Sequence, residues 1–180
     1  MPVENELKFV LDVPSVEGFA NKLRHLKGAT AYSFRQGYVN ENTRVREIKH
    51  HNGAIEYLFT FKMMINGNLI EVEKELDDFD FSQLWIKVDR VIVKTRVAVP
   101  VGERVWEVDF MHTPDGHETY LVMAEVEMGK DETDPGALPD FISEHLVYAV
   151  PKGDMRFVNS RLTQPNVVKK LVQEIKNGKL

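Results

Sequence analysis

Charged residues of like sign recur two positions apart along this chain. Glu4, Glu6 and Lys8 alternate with Asn5, Leu7 and Phe9, and Arg44 and Arg46 flank Val45. Glu71, Glu73 and Glu75 alternate with Val72 and Lys74, Lys94 and Arg96 flank Thr95, and Lys62 follows Phe-Thr-Phe. Glu107 and Asp109 sit in Trp-Glu-Val-Asp-Phe, Glu125 and Glu127 in Ala-Glu-Val-Glu-Met. On a strand, residues at this spacing share a face about 7 Å apart. Half-buried antiparallel strands usually send such charges to solvent, and any single pair fits that reading. The set points elsewhere, because solubility is served by interspersed signs, whereas here acidic and basic strands are distinct. If the charged faces line an interior, neighbouring carboxylates repel and call for a cation. Oxygen ligands without Cys or His favour magnesium or manganese, which keep several waters and share phosphate oxygens. Lys and Arg in a protein-walled cavity supply the other half: a charge pair at about 4 Å is worth about 1 kcal/mol in water but about 4 kcal/mol at an effective dielectric near 20. A linear polyphosphate meets both requirements.

The elements that must position these groups are mostly strands. Alternation with a period of two marks Glu4 to Leu11, Thr43 to Ile48, Glu56 to Met63, Leu69 to Leu76, Val91 to Val99, Arg104 to Phe110 and Tyr120 to Met128. Asn52-Gly53, Asn66-Gly67 and Asp115-Gly116 are turn signals between them. Helical spacing is confined to Ser15 to Leu26, with Ser15 as cap, Phe79 to Val88, Leu138 to Val147, and Val167 to Ile175. Seven or eight strands at hairpin distances predict an antiparallel sheet that closes into a barrel, with a wet ionic lumen and helices covering Phe9, Trp106, Val108, Phe110, Val126 and Met128 outside.

Composition narrows the function classes. The chain has 180 residues with 43% apolar and 28% charged side chains, enough for a core that needs no metal or disulfide to hold it. Its lack of cysteine removes thiol nucleophiles, iron–sulfur clusters and zinc fingers. The acidic start lacks the bases and apolar run of a signal peptide, and no stretch is long and apolar enough to span a bilayer, so a cytoplasmic protein without membrane contact is expected. Net charge −5 argues against gripping long nucleic acid. Neither Gly-x-x-x-x-Gly-Lys nor Gly-x-Gly-x-x-Gly occurs, so a phosphate site must be built from side chains. His50, His51, His112 and His117 lack metal-ligand spacing and read as surface or loop residues, Trp85 and Trp106 as packing residues, and Lys169, Lys170, Lys176 and Lys179 as a solvated helix face.

Glu4-Asn5-Glu6-Leu7-Lys8 resembles the Glu-x-Glu-x-Lys signature of the CYTH superfamily, the triphosphate tunnel metalloenzymes. Its companions follow in family order: Gly37-Tyr38, Arg44-Val45-Arg46, Thr60-Phe61-Lys62, Glu71-Val72-Glu73, Lys94-Thr95-Arg96, Trp106-Glu107-Val108-Asp109, Ala124-Glu125-Val126-Glu127, then Asp154, Phe157, Asn159 and Leu162. The resemblance spans residues 1–163, with 164–180 as a C-terminal tail read as helical. It implies an α+β fold whose closed eight-stranded antiparallel barrel forms a tunnel. It implies Lys8, Arg44, Arg46, Lys62, Lys94 and Arg96 as phosphate-binding bases. It implies Glu4, Glu6, Glu107, Asp109, Glu125 and Glu127 as ligands of Mg2+ or Mn2+, with Glu73 a further acidic position, and Glu4, Glu6 and Lys8 as the catalytic set. The Lys-Thr-Arg, Trp-Glu-Val-Asp and Ala-Glu-Val-Glu segments are most similar to the short bacterial branch associated with inorganic triphosphatase activity. Leu7, where that branch often has Arg, and His145-Leu146 after Glu144, where it often has Val-Thr, depart from it.

The expected function is therefore metal-dependent hydrolysis of a small triphosphate, by a monomer or homodimer. Two other readings stay open: an adenylate cyclase of the class IV type, and a module that binds nucleotide or polyphosphate without turnover.

Overall fold

A computed structural model describes residues 5–66 and 68–179, without the side chains at 68 and 69. Nine strands form one antiparallel sheet: β1 (Glu6–Leu11), β2 (Thr30–Tyr38), β3 (Thr43–His50), β4 (Ile55–Ile65), β5 (Asn68–Leu76), β6 (Arg90–Val101), β7 (Arg104–His112), β8 (Thr119–Glu127) and β9 (Leu146–Val150). Their order is β5-β4-β3-β2-β6-β7-β8-β1-β9. Four helices, α1 (Val16–Arg24), α2 (Asp78–Trp85), α3 (Asp140–Ser143) and α4 (Pro165–Lys176), and a 3-10 turn at Met155–Phe157 complete the described chain.

The expected closed eight-stranded barrel is not what forms. The sheet is open, with β5 and β9 as its edges. A strand has two hydrogen-bonding edges, and those of β1 are taken by β8 over Glu6–Leu11 and by β9 over Lys8–Leu11, which leaves none along that stretch for β5. Strands β2 and β9 escaped the periodicity reading. The stretch from Leu138 to Val147, expected to be helical, is helix only over Asp140–Ser143, and its continuation extends instead to pair with β1. Pairing with an existing strand satisfies the backbone of Leu146–Val150, and that tertiary gain overrides local helical spacing.

The open sheet nevertheless curls. Glu6 of β1 and Lys62 of β4, six places apart in the strand order, line the same cavity. Register settles what each face carries. Glu6, Lys8 and Val10 of β1 stand opposite Glu127, Glu125 and Met123 of β8, and Asp109 of β7 opposite Arg96 of β6. Tyr32, Phe34, Gln36 and Tyr38 of β2 stand opposite His50, Ile48, Arg46 and Arg44 of β3. The inner face is thus charged along its middle and turns apolar toward one end. There Val10, Met111, Met123, Ile92 and Tyr38 are covered by Phe157, Leu162, and Val168 and Ile175 of α4. The Tyr120 hydroxyl donates to Leu162 O at 2.7 Å and fixes this cover.

The outer face holds the other core: Phe9, Leu11, Val97, Trp106, Val108, Phe110, Ala124 and Val126 beneath Phe19 and Leu23 of α1 and Phe141 and Ile142 of α3. Phe9, Trp106, Val108, Phe110, Val126 and Met128, which alternation assigned to the outside, all belong to it. Ser15 caps α1 by accepting from Gly18 N at 3.1 Å, and Asp77 caps α2 by accepting from Asp80 N at 2.7 Å. Helix α2 lies on the outer side of β2 to β4, with Tyr57 stacked on Phe81 at 4.5 Å. Its approach requires Gly37, where a Cβ would meet Val88 Cγ2 at 2.5 Å and Trp85 Cζ3 at 2.9 Å. Gly37→Ala is accordingly expected to destabilise the fold by about 1–3 kcal/mol through overpacking, read from the urea midpoint; an unshifted midpoint would show that α2 is free to retreat.

Candidate active site

The inner face encloses a cavity of about 870 Å3 lined by Glu6, Arg44, Arg46, Lys62, Lys94, Arg96, Glu107, Glu125, Glu127 and Asn159. A smaller one of about 210 Å3, lined by Lys8, Thr60 and Tyr38, shares Glu6, Arg44, Lys62 and Asn159 with it. By register and lining, twelve of the thirteen residues singled out in the sequence lie on this face: Glu6, Lys8, Arg44, Arg46, Lys62, Glu73, Lys94, Arg96, Glu107, Asp109, Glu125 and Glu127. Glu4 lies outside the described residues.

Their environments differ sharply. Asp109 has no exposed side-chain surface; its Oδ2 takes Lys94 Nζ at 2.5 Å and Arg96 at 2.7 Å, and its Oδ1 takes Arg96 Nε at 2.6 Å. Burial alone would raise its pKa, but Lys94 and Arg96 outweigh that and hold the carboxyl below the ordinary Asp range. Arg96 also reaches Glu125 at 2.9 Å and Glu107, so one guanidinium of β6 ties together three acids of β7 and β8, and these carboxylates hold its pKa above the usual value against the pull of burial. Burial lowers the pKa of Lys94, against the attraction of Asp109. Lys8 lies 2.9 Å from Glu6 and 3.3 Å from Glu125 and donates to Phe157 O at 3.3 Å; these two acids overcome burial and raise its pKa. Burial, with Asp109 and Glu125 nearby, raises that of Glu107 despite Arg96.

Arg46 is the exception. Its Nε donates to Gln36 Oε1 at 3.0 Å and its guanidinium carbon sits 5.7 Å from the Phe34 ring centre, but no carboxylate is in ion-pair range among the described residues. Burial and the neighbouring Arg44 and Arg96 bring its pKa down to about 10. Beside it, Arg44 Nε and Asn159 Oδ1 are buried without hydrogen-bond partners. Lys62 is paired with Glu71 at 3.1 Å, and Glu73 accepts from Thr60 at 3.0 Å. The basic side of the cavity is thus left with an excess of positive charge.

Several contributors were not legible from charge spacing. Gln36 aims Arg46 and donates to the Tyr38 hydroxyl at 2.6 Å. Phe34 lies 5.3–5.7 Å from Arg46, Lys94 and Arg96. Asn5 ties β1 to the loop after β8 by donating to Gly129 O at 2.7 Å and Glu132 O at 2.8 Å. For Phe34 and Gln36 the only signal is position on the inner face, and that required finding β2.

Among the described residues no group of three or more Asp, Glu, His or Cys converges as a metal site. The donor set still suits a hard cation. Glu107 stands opposite Glu125 and Glu6 opposite Glu127 across strands, and Glu125 Oε1 is buried without a hydrogen bond, its nearest cation being Lys8. Asp109 does not suit one, since both its oxygens are occupied.

Among solved structures, the inorganic triphosphatase NE1496 matches with a TM-score of 0.55 and 24% identity over 91% of this chain and 95% of its own. The chain shares that protein's fold. The PH1012 protein from Pyrococcus horikoshii (TM-score 0.44, 16% identity, 72% and 80% covered) and a putative adenylate cyclase from Bacillus halodurans (0.40, 14%, 71% and 81%) also match, at similarities too low to add to that assignment. No family model and no curated protein matches the chain. In this chain the nine strands leave the sheet open, and the Lys-Thr-Arg, Glu-Val-Asp and Glu-Val-Glu segments come together as the Arg96 network. No helix of the described residues is long and apolar enough to cross a membrane.

Proposed function

We propose that this protein is a divalent-metal-dependent triphosphatase that hydrolyses the terminal phosphoanhydride of a small triphosphate. The reading rests on one observation: a cavity large enough for a triphosphate carries carboxylates on one side and, on the other, a half-buried Arg46 with no carboxylate in ion-pair range among the described residues, Glu73 acting on it only from further off. A guanidinium so weakly compensated is costly, and a phosphate oxygen is the partner that its fork geometry fits best. Similarity of fold to an inorganic triphosphatase agrees with it.

In this reading Arg44, Arg46 and Lys62 bind phosphate oxygens from β3 and β4, with Lys94 and Arg96 from β6 and Lys8 from β1. Asp109 does not touch substrate; it fixes Lys94 and Arg96 in place and favours their charged forms. Glu6, Glu107, Glu125 and Glu127 would hold Mg2+ or Mn2+, with Glu4 joining them by its place two residues before Glu6, and Glu73 orients Thr60. When bound, the ion neutralises phosphate oxygens. Water attacks the terminal phosphorus, the P–O bond to the bridging oxygen breaks, and pyrophosphate and orthophosphate leave with the proton passed to solvent. Glu6 orients that water, and Lys8, kept protonated between Glu6 and Glu125, stabilises charge on the phosphoryl oxygens.

The test follows orthophosphate, pyrophosphate and cyclic AMP from inorganic triphosphate, ATP and thiamine triphosphate, with magnesium or manganese. Orthophosphate release that is lost on chelation is expected. Glu6→Gln should lower it by about 100-fold or more, the scale on which positioned catalytic groups act, while the melting temperature holds. Cyclic AMP would instead establish a cyclase, and tight binding without product a binding module.

A further inference from the structure

Two arginines of the inner face are held by the same atom and by opposite kinds of partner. Arg96 Nε donates to Asp109 Oδ1 at 2.6 Å, a carboxylate. Arg46 Nε donates to Gln36 Oε1 at 3.0 Å, an amide. Gln36 stands directly across from Arg46 in the register of β2 and β3 and is only 1% exposed, so water does not compete for its amide. Chemistry fixes which way that amide points. A guanidinium has hydrogens to give and no lone pair to accept with, so the atom facing Arg46 is the amide oxygen, and the NH2 group turns to the Tyr38 hydroxyl 2.6 Å away. Tyr38 is itself buried and braces that end. The other neighbours of Arg46 are neutral as well: Leu58 is its partner on β4, and the Phe34 ring centre lies 5.7 Å from the guanidinium carbon. Among the described residues Arg46 makes no hydrogen bond beyond the one from Nε, and it lines the triphosphate cavity.

An amide holds a guanidinium in direction without cancelling its charge. A carboxylate does both, and makes the group part of a structural ion pair, as Asp109 does with Arg96. We infer that Gln36 is a positioning residue for anion binding, which fixes Arg46 through Nε and leaves both terminal nitrogens, with the charge uncompensated, to the phosphate oxygens of a ligand. The inference rests on the triphosphate-binding reading of the cavity and adds a residue that touches no phosphate yet governs affinity. Neutrality is the property that matters. In Gln36→Glu both hydrogen bonds persist, because the Tyr38 hydroxyl can reverse its role and donate, but Arg46 becomes paired and a carboxylate faces the phosphates.

The test is calorimetric binding of inorganic triphosphate in the presence of a chelator, with thermal unfolding of the same samples. Gln36→Glu is expected to weaken binding about tenfold or more, the scale of one hydrogen bond to a charged group, while the melting temperature holds or rises. Gln36→Met keeps the length of the side chain and removes both hydrogen bonds. It should weaken binding about fivefold in the wild type and by less than about twofold in an Arg46→Met background, since a residue that acts through Arg46 then has nothing left to position. Affinity that falls together with the melting temperature, and equally in both backgrounds, would show a structural role and overturn the inference. Binding by Gln36→Glu within about twofold of wild type, or a wild type that does not bind triphosphate, would overturn it too. Hydrolysis separates the two readings. Binding that depends on Gln36 in this way, without phosphate release under magnesium, would keep the positioning role and discard the triphosphatase. Phosphate release with an affinity indifferent to position 36 would do the reverse.

Discussion

Asp109→Ala is expected to lower the melting temperature by about 10 °C, the largest stability effect of any single change on the inner face. Removing one partner of a buried ion pair costs about 3–5 kcal/mol because the other charges are left without compensation. In a domain of this size each kcal/mol shifts the midpoint by about 2–4 °C. Here the stranded groups are Lys94, only 4% exposed, and Arg96, which Asp109 grips through both of its oxygens. The paired replacement Lys94→Met with Asp109→Leu should recover most of the loss, since it removes charge and counter-charge together. The pH dependence has a definite sign. Asp109 has a folded pKa below its unfolded value near 4, so its contribution is complete above that value and fades as pH falls toward the folded one. A melting temperature for Asp109→Ala within 2 °C of wild type would mean that the network carries little stability.

Arg46→Met is expected to do the opposite: leave the melting temperature unchanged or raise it, while weakening the binding of inorganic triphosphate by about 10-fold to 150-fold. The stability half follows from a half-buried guanidinium with Arg44 and Arg96 beside it and no carboxylate in ion-pair range among the described residues. Replacing it by an apolar chain of similar length relieves repulsion and desolvation, the usual trade at a binding site. The binding half takes a hydrogen bond to a charged group as about 1.5–3 kcal/mol. Thermal unfolding and calorimetry on one preparation check both. A large fall in melting temperature, or unaltered triphosphate affinity, would show that Arg46 serves the fold and not a ligand.

The contrast between these residues shows where reading the sequence stops. Arg46 and Arg96 stand in nearly the same local setting, Arg-Val-Arg and Lys-Thr-Arg. Alternation placed both on the charged face, and register agrees. Which of them is neutralised depends on the strands beside them. Arg96 faces the acids of β7 and β8, 11 to 29 residues away along the chain. Arg46 faces Gln36 of β2 and Leu58 of β4.

Strand β2 was missed for a related reason. Only its last residues are covered on both faces, Gln36 and Tyr38 on the inner side and Gly37 by Trp85 and Val88 on the outer, so apolar and polar residues alternate only over Tyr32–Arg35, a run too short to stand out.

The order of residues along the chain therefore determined the strands with one solvated or ionic face, the cap of α1, and the segregation of acids and bases onto common faces. Each of these is local, set by the two-residue and 3.6-residue periods of the backbone. The tertiary structure decided that β9 takes the free edge of β1 and leaves the sheet open, that α4 covers the apolar end of the inner face, and that Asp109 is locked in ion pairs while Arg46 has none among the described residues. Those outcomes depend on contacts between segments far apart in the chain, for which no short-range period carries a record.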